Sequence, residues 1–406
     1  MIESSTLPTK SDIPRHWDIV KLGDVLNIQT GSKNAQDSEA NGEYMFFTRS
    51  VTTQRINTYS FDTEALFIAG EGVFKVKHYK GKFDLHQRTY MLTEKASNTI
   101  CLFFFKDLIQ SKIEKLVSAS VGSTVQSLRK PIIYDLLLPF PPLYEQQQIG
   151  NILSTVDRKI EAITSKIIES EKLKHGLMQQ ILKKGIGQIN FKDSELGRIP
   201  ESWGIKKINE ISNVVRGSSP RPAGDPKLFN GNFLPWITVA EITNNRSKYL
   251  TRTKTHLTKL GSLQTRILQP GTVLLSNSGA TLGVPTILKI EAGANDGVAA
   301  FLKLKEVSEL FLFYYLQSLT DYFRNQLAPG SGQPNLNTSL IGNVSIPIPS
   351  NEEQEKITSI LFSIDEKIDI LKEKNQAYSD LKSGLMQQLL TGKIRVNIHQ
   401  QQSAVA

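Results

Sequence analysis

The chain has 406 residues, 39% of them hydrophobic and 21% charged, with a formal net charge of +9 and a pI near 9.3. This composition excludes a disordered or low-complexity chain, and the length suggests two or three globular domains; the positive charge fits a polyanionic partner, most simply nucleic acid, and equally an ordinary basic solvated surface. No apolar run reaches the ~18–20 residues of a membrane span, the first residues lack a signal-peptide layout, and the single Cys101, in the apolar run Ile100 to Phe105, reads as a buried thiol of a cytoplasmic chain.

Residues 1–12 read as a loose tail. Ile13-Pro14-Arg15-His16-Trp17 follows, and its twin stands 186 residues on as Ile199-Pro200-Glu201-Ser202-Trp203. Both continue to a glycine, Gly31 and Gly217. In the first half, Tyr44 to Thr48, Ala65 to Ala69, Val73 to Val76 and Arg88 to Leu92 read as strands. Gly70, Gly72 and Gly81 read as breakers, and Ile109 to Ala119 as a short helix. In the second half, Trp236 to Val239, Thr272 to Ser276 and Val298 to Leu304 read as strands, with a helix near Ser308 to Leu327. Each half is expected to be a compact mixed α/β domain.

A second repeat closes each half. Pro139 to Gly185 aligns without a gap on Pro347 to Lys393, an offset of 208, with 19 of 47 paired positions identical. Gly176-Leu177-Met178-Gln179-Gln180 recurs whole as Gly384 to Gln388. A repeat this long indicates two half-molecules, not a solenoid. The offset grows from 186 to 208, so the second half carries 22 extra residues, and the halves diverge where the offset changes.

Within the repeat, stiff proline segments lead into a helix, and Ser350 with Glu353 forms a capping-box pattern. Apolar residues then recur at alternating steps of four and three: Ile149, Leu153, Val156, Ile160 and Ile163, and again Ile357, Leu361, Ile364, Ile368 and Leu371. This narrow seam is a coiled-coil pattern, and these ten residues are the expected helix-pairing set. The frame continues through the polar Ser170 and Lys174 in one copy and Asn375, Tyr378 and Lys382 in the other, as register-fixing residues do. Gly185 and Gly392 suit helix C-termini. A helix of about 40 residues spans about 60 Å and needs a partner, which the other copy supplies. The seam itself fits parallel or antiparallel pairing.

The resulting expectation is an α+β chain: two mixed α/β domains in pseudo-two-fold arrangement, joined by two long helices paired as an antiparallel coiled coil. Its parts are a first domain (1–141), a first helix (142–185), a linker (186–198), a second domain (199–349), a second helix (350–392) and a tail (393–406).

Catalytic patterns are scarce. There is no phosphate-binding loop, no zinc spacing, no H-E-x-x-H and no Asn-Pro-Pro-Tyr or Asp-Pro-Pro-Tyr turn. Asp157-Arg158-Lys159 and Asp365-Glu366-Lys367 imitate half of a nuclease site, but they lie on the long helices, where solvated charges or contact residues are the simpler reading. No catalytic residue and no metal ligand is assigned. The basic residues carry more. Arg216 to Arg266 holds nine Lys/Arg against two acids, interleaved with amide and hydroxyl side chains. Such groups neutralise phosphates and read base edges. The candidate DNA contacts are Arg49, Lys75, Lys77, Lys80 and Arg88 in the first half, and Arg216, Ser218, Ser219, Arg221, Arg246, Lys248, Asn277 and Gln333 in the second.

The chain resembles the specificity (S) subunit of type I restriction-modification enzymes over nearly its whole length. The resemblance rests on Ile-Pro-x-x-Trp at the head of each half, Pro139-Phe140-Pro141-Pro142-Leu143-Tyr144-Glu145-Gln146 leading into the first helix, and Gly384-Leu385-Met386-Gln387-Gln388 near the end of the second. Phe61 to Leu66, Gly81-Lys82-Phe83 and Gln87 to Tyr90 look like one recognition-domain type. Arg216 to Arg221 with Pro235 to Val239 looks like another. The second copy departs at Ser350-Asn351-Glu352, where the double proline and leucine are missing. The resemblance implies a non-catalytic, sequence-specific DNA-binding subunit that reads a split target, one half per domain. Its helices set the spacing and dock two methyltransferase subunits. Those partners use S-adenosylmethionine, and restriction subunits use ATP and Mg2+; this chain is expected to bind no cofactor. The rival expectation is a self-contained nuclease or methyltransferase with a degenerate site, and a third is an assembly scaffold whose DNA is held elsewhere.

Overall fold

A computed structural model describes residues 13–72, 74–118, 127–245, 247–279, 281–327 and 335–396. The chain forms two compact units, 1–165 with 371–406, and 166–370. The unit boundaries fall inside the two long helices, Leu143–Lys184 and Asn351–Leu389, not at the ends of the expected α/β domains. Each unit is one α/β domain with the first part of its own helix and the last part of the other.

The first unit holds a six-stranded sheet in the order Leu26–Thr30, Thr89–Glu94, Phe61–Ala69, Lys77–Leu85, Tyr44–Phe47, Gln54–Ile56. All neighbours are antiparallel except Tyr44–Phe47 against Lys77–Leu85. One face buries Leu66, Ile68 and Leu92 against the helix Leu102–Ser111 and against Trp17, Ile149, Leu153, Leu389 and Leu390. The other carries an aromatic cluster in which Phe47 stacks on Phe67 with centroids 3.8 Å apart and Phe83 meets both edge-on.

Several sequence expectations shift here. Residues 74–76 are not a strand, and Val73 lies outside the described residues. Lys77–Leu85 is a strand although it is rich in charge, because its partner Phe61–Ala69 supplies the apolar face. Gly81 lies inside that strand opposite Thr63 and does not break it. The helix expected from Ile109 begins at Leu102, since Phe104, Phe105, Leu108 and Ile109 recur at helical spacing on the buried side.

The second unit holds a five-stranded sheet (Asn213–Arg216, Val298–Leu302, Val273–Ser276, Pro285–Leu288, Tyr249–Leu250) and a four-stranded one (Thr255–Leu257, Leu234–Ile237, Ala292–Ala294, Ile267–Leu268). Its main core joins Trp203, Phe311, Tyr314 and Phe323 to Met178, Ile181, Leu182, Ile357 and Leu361. The expected linker is partly structured as a hairpin, Phe191–Ser194 with Gly197–Pro200. In both units a short ribbon joins head to exit: Asp18–Lys21 with Leu137–Phe140, and Gly204–Lys207 with Ser345–Ile348.

Helix pairing is antiparallel within each unit. In the first, Asp157 meets Lys382 and Thr164 meets Asn375, so numbers rise on one helix as they fall on the other. In the second, Lys174 meets Asp365, and Ile181 shares a core with Ile357. Of the expected seam, Ile149, Leu153, Ile357 and Leu361 are buried in the cores of the two α/β domains. Val156 and Ile368 are buried too, and Ile160, Ile163, Ile364 and Leu371 are half-buried. Gly185 and Gly392 end the two helices with φ of 67° and 68°, the left-handed C-terminal cap that glycine takes without strain.

Candidate nucleic-acid interface

The residues that hold each domain on its helix come in matched sets. Trp17 donates its Nε1–H to Glu145 Oε2 at 3.0 Å, and Trp203 donates to Glu353 Oε2 at 2.7 Å. The Ile-Pro-x-x-Trp head and the Glu-Gln at the helix start are thus one clasp, seen twice. Both carboxylates are buried, so each needs several donors. Glu145 also receives Tyr144 at 3.0 Å and contacts His16 Nε2 at 2.7 Å, and Glu353 receives the Ile186 amide at 3.2 Å and Gln188 at 3.0 Å. Burial pushes the Glu145 carboxyl up, but hydrogen bonds from His16, Trp17 and Tyr144 outweigh it and hold the group below the usual carboxylate range. Ser350 caps the Glu353 amide at 3.3 Å, while the Glu353 carboxylate turns to the clasp instead of completing the expected capping box. The adjacent glutamines repeat as well. Gln146 accepts from the Cys101 amide and donates to Pro141 O; Gln354 accepts from the Ser308 amide and donates to Pro349 O.

The Asp-x-Lys runs are accounted for by the same geometry. Asp157 accepts from Lys106 of the first α/β domain and lies 2.7 Å from Lys382 of the other helix, which also reaches Asp107 at 2.8 Å. Asp365 lies 2.7 Å from Lys174 and accepts the Tyr314 hydroxyl at 2.7 Å. Two of the polar residues in the seam, Lys174 and Lys382, are therefore the partners of the carboxylates, and both carboxylates are engaged in holding three elements together.

In the first domain, Glu71 gathers two of the candidate DNA contacts. Arg88 reaches it at 2.8 Å and Arg49 at 3.0 Å. Arg88 first, and then Arg49, hold its carboxyl below the ordinary range against the effect of burial. Both guanidiniums stay largely exposed and can still face a phosphate or a base. Lys80 is exposed and 3.4 Å from Glu64. Lys77 donates to Ser50 O at 2.7 Å, and burial, with Lys75 beside it, lowers its pKa. Lys75 is exposed. Lys75 and Lys77 line a groove of about 950 Å³ with Phe47, Phe103 and Arg158.

In the second domain, Arg216, Ser218, Ser219 and Arg221 converge with Gln264, Arg266 and Asp296. Arg216 donates twice to Asp296 O, at 2.8 and 3.0 Å, and Arg266 donates to Arg216 O at 2.7 Å. The Arg221 amide donates to Gln264 Oε1 at 3.0 Å, and its guanidinium lies 3.5 Å from Asp296. Ser218 donates to Gln264 O, and Ser219 accepts from the Asp296 amide. The result is an exposed cationic loop cluster braced by backbone carbonyls. Asp296 and Gln264 were missed because neither is basic, and Glu71 was missed for the same reason.

Two of the candidates are misplaced. Lys248 is 5% exposed at its side chain, 3.3 Å from Glu366 and 4.1 Å from the Phe362 ring centre, so it serves the contact with the helix and not DNA. Asn277 is fully buried, with neither amide atom hydrogen-bonded. It sits at the end of the all-buried strand Val273–Ser276, where a polar letter in the sequence does not mean a surface position. Arg246 and Gln333 lie outside the described residues. No described helix is long and apolar enough to cross a membrane.

Comparison with known proteins agrees with this architecture. The family described as type I restriction modification DNA specificity domain matches twice, at residues 14–172 and 200–377. The type I restriction enzyme MjaVIII specificity subunit of Methanocaldococcus jannaschii is 27% identical over 412 residues, covering 95% of this chain and 94% of its own. The EcoDI specificity subunit of Escherichia coli is also 27% identical, over half of each chain. The crystal structure of the type I restriction-modification S subunit of M. genitalium superposes with a TM-score of 0.65 at 17% identity, covering 96% of this chain and 98% of that one. The chain belongs to the type I restriction-modification DNA specificity family and is a target-recognition subunit that carries the specificity domain twice.

Proposed function

We propose that the chain reads a bipartite, asymmetric DNA target, one half-site per recognition domain, and docks two methyltransferase subunits on its helices. The observation that carries this reading is a contrast within the molecule. The clasps and carboxylate–lysine junctions recur, whereas the cationic surfaces do not: one is an arginine pair on Glu71, the other a loop cluster on Asp296. A duplicated chassis with two different reading surfaces suits two unlike half-sites. Docking is supported by exposed apolar residues that the repeat preserves. Ile152 and Ile360 are 38% and 36% exposed, and Leu173 and Leu381 are 55% and 49% exposed. All four stand three places after a seam position.

On this reading the methyltransferase subunits supply S-adenosylmethionine chemistry on a flipped adenine. Restriction subunits in the full complex use ATP and Mg2+. This chain contributes position and sequence. The test is to express it with a methyltransferase subunit and map methylated adenines. Exchanging residues 1–141 for those of a relative should alter one half-site only. A change in both half-sites, or in neither, overturns the modular reading. Methylation or cleavage by the purified chain alone favours the rival, self-contained enzyme.

A further inference from the structure

A helical turn of the second domain, Lys259–Ser262, ends at Leu263, whose side chain is 77% exposed. A lone exposed leucine is ordinary on a protein surface, but the backbone that carries this one is tied down on both sides. Thr258 caps the turn, its Oγ1 accepting from the Gly261 amide at 3.1 Å. Ser262 is buried and donates to Lys259 O at 2.8 Å. Thr265 lays its methyl on Gly293, where an added Cβ would fall 2.8 Å away. Gln264, the next residue, accepts from the Arg221 amide through Oε1 and from Ser218 through its carbonyl, and Arg266 donates to Arg216 O. A braced backbone thus presents Leu263 beside the cationic cluster, with the exposed Leu260 three places before it on the same side of the turn. The first domain makes the same combination on a different loop. Val51 is 51% exposed two residues after Arg49, and Lys77 holds that loop through Ser50 O. Val51 lies between the paired strands Tyr44–Phe47 and Gln54–Ile56, whereas Leu263 lies beyond the pair Leu234–Ile237 and Thr255–Leu257. Each cationic surface therefore carries an exposed aliphatic side chain, although the loops that supply it differ.

We propose that Leu263 contacts the 5-methyl group of a thymine in the half-site read by the second domain. This rests on the reading that the domain binds DNA, and adds one base that it selects and the side chain that selects it. Arg216, Arg221 and Arg266 are exposed and suit a polyanion. Of the groups that base pairs present in the major groove, the thymine methyl is the apolar one; the others donate or accept hydrogen bonds. An arginine beside Leu263 can take a phosphate or a guanine, but the leucine finds a match only in that methyl. A protein partner could also cover a leucine, but it would have to bring acids of its own for three arginines. DNA answers the charges and the apolar side chain together.

The test uses the chain assembled with a methyltransferase subunit, on duplexes that carry its mapped target, with binding read by fluorescence anisotropy. The half-site assigned to residues 199–349 should contain a thymine. Replacing its thymines one at a time by deoxyuridine removes only the methyl, and one replacement should weaken binding about fourfold, the scale of one buried methyl group. Leu263→Ala should bind the thymine duplex at least as weakly as the wild type binds that deoxyuridine duplex, and should no longer tell the two apart. Its Tm and its reading of the other half-site should be unchanged, and Leu263→Met should keep the discrimination. The deoxyuridine series on the wild type needs no variant to fold. A half-site without thymine, indifference of the wild type to every deoxyuridine, or a deoxyuridine loss that persists in Leu263→Ala overturns the inference and leaves the bipartite reading standing. A Leu263→Ala defect in a complex whose wild type ignores the methyl marks a wedge between base pairs and overturns it equally. A wild-type complex with no sequence-specific binding overturns both.

Discussion

Asp157 and Lys382, 225 positions apart in the chain, lie 2.7 Å from each other, and the repeat returns the contact with the roles of the helices exchanged as Asp365 and Lys174, also at 2.7 Å. Burial works against the charge on Asp157, yet Lys106 and Lys382 outweigh it and lower its pKa. Burial likewise works against the Lys382 ammonium, and Asp107 and Asp157 raise its pKa. Asp157→Asn should lower unfolding free energy by about 2–4 kcal/mol, because two mostly buried ammonium groups lose their shared carboxylate. Urea titration measures it.

The same carboxyl gives a pH dependence. Its folded pKa is depressed, so its contribution is fully present above the unfolded value of about 3.9 and is lost as pH falls through the lower folded value. The wild-type chain should therefore lose more stability than Asp157→Asn between about pH 5 and pH 2. Parallel slopes in the two proteins contradict the assignment.

Trp17→Phe and Trp203→Phe each remove one donor from a buried carboxylate while keeping most of the ring. A loss of about 1.5–3 kcal/mol is expected in each, the range for hydrogen bonds to charged groups. Because the clasp is duplicated, the two losses should agree in size. Thermal unfolding of the single variants checks this.

Arg88→Ala and Arg221→Ala should weaken specific DNA binding by the assembled complex. For each phosphate that the variant no longer neutralises, the slope of log K against log salt should fall by about 0.9. Lys248→Met is the control that the structure supplies. Its side chain is covered by Phe362 and Glu366, so DNA affinity should hold while stability changes. Fluorescence anisotropy over a salt series separates the two outcomes.

Adding seven residues to each long helix, after Ser165 and after Ile370, keeps the seam in phase and lengthens the helices by about 10 Å at 1.5 Å per residue. The spacer between half-sites should grow by about three base pairs, at about 34 Å per ten. Methylome mapping reads it, and an unchanged spacer overturns the expectation that the helices set the spacing.

The long helices were legible in the sequence because a four-three seam and a gapless repeat are local patterns. Antiparallel pairing was not, since the seam looks the same in either direction; it took the meeting of Asp157 with Lys382 and of Thr164 with Asn375 to show it. Glu145 and Glu353 were visible as motif letters, but not as acceptors for tryptophans 128 and 150 positions away. Surface charge was the weakest guide. Arg49 and Arg88 are exposed as expected, whereas Lys248 and Asn277 are buried, because a polar side chain can answer to a neighbouring helix or strand that the local sequence does not contain.

The first unit closes with Leu389 and Leu390, which share its core with Trp17 and Ile149, while the second is one unbroken stretch, 166–370. On the ribosome, at about 5–20 residues per second, the second unit is complete in sequence before the first, reversing the usual order of domain maturation. The N-terminal domain waits for the last helix with apolar surface uncovered. A premature stop late in the message therefore strikes hardest at the domain that was translated first.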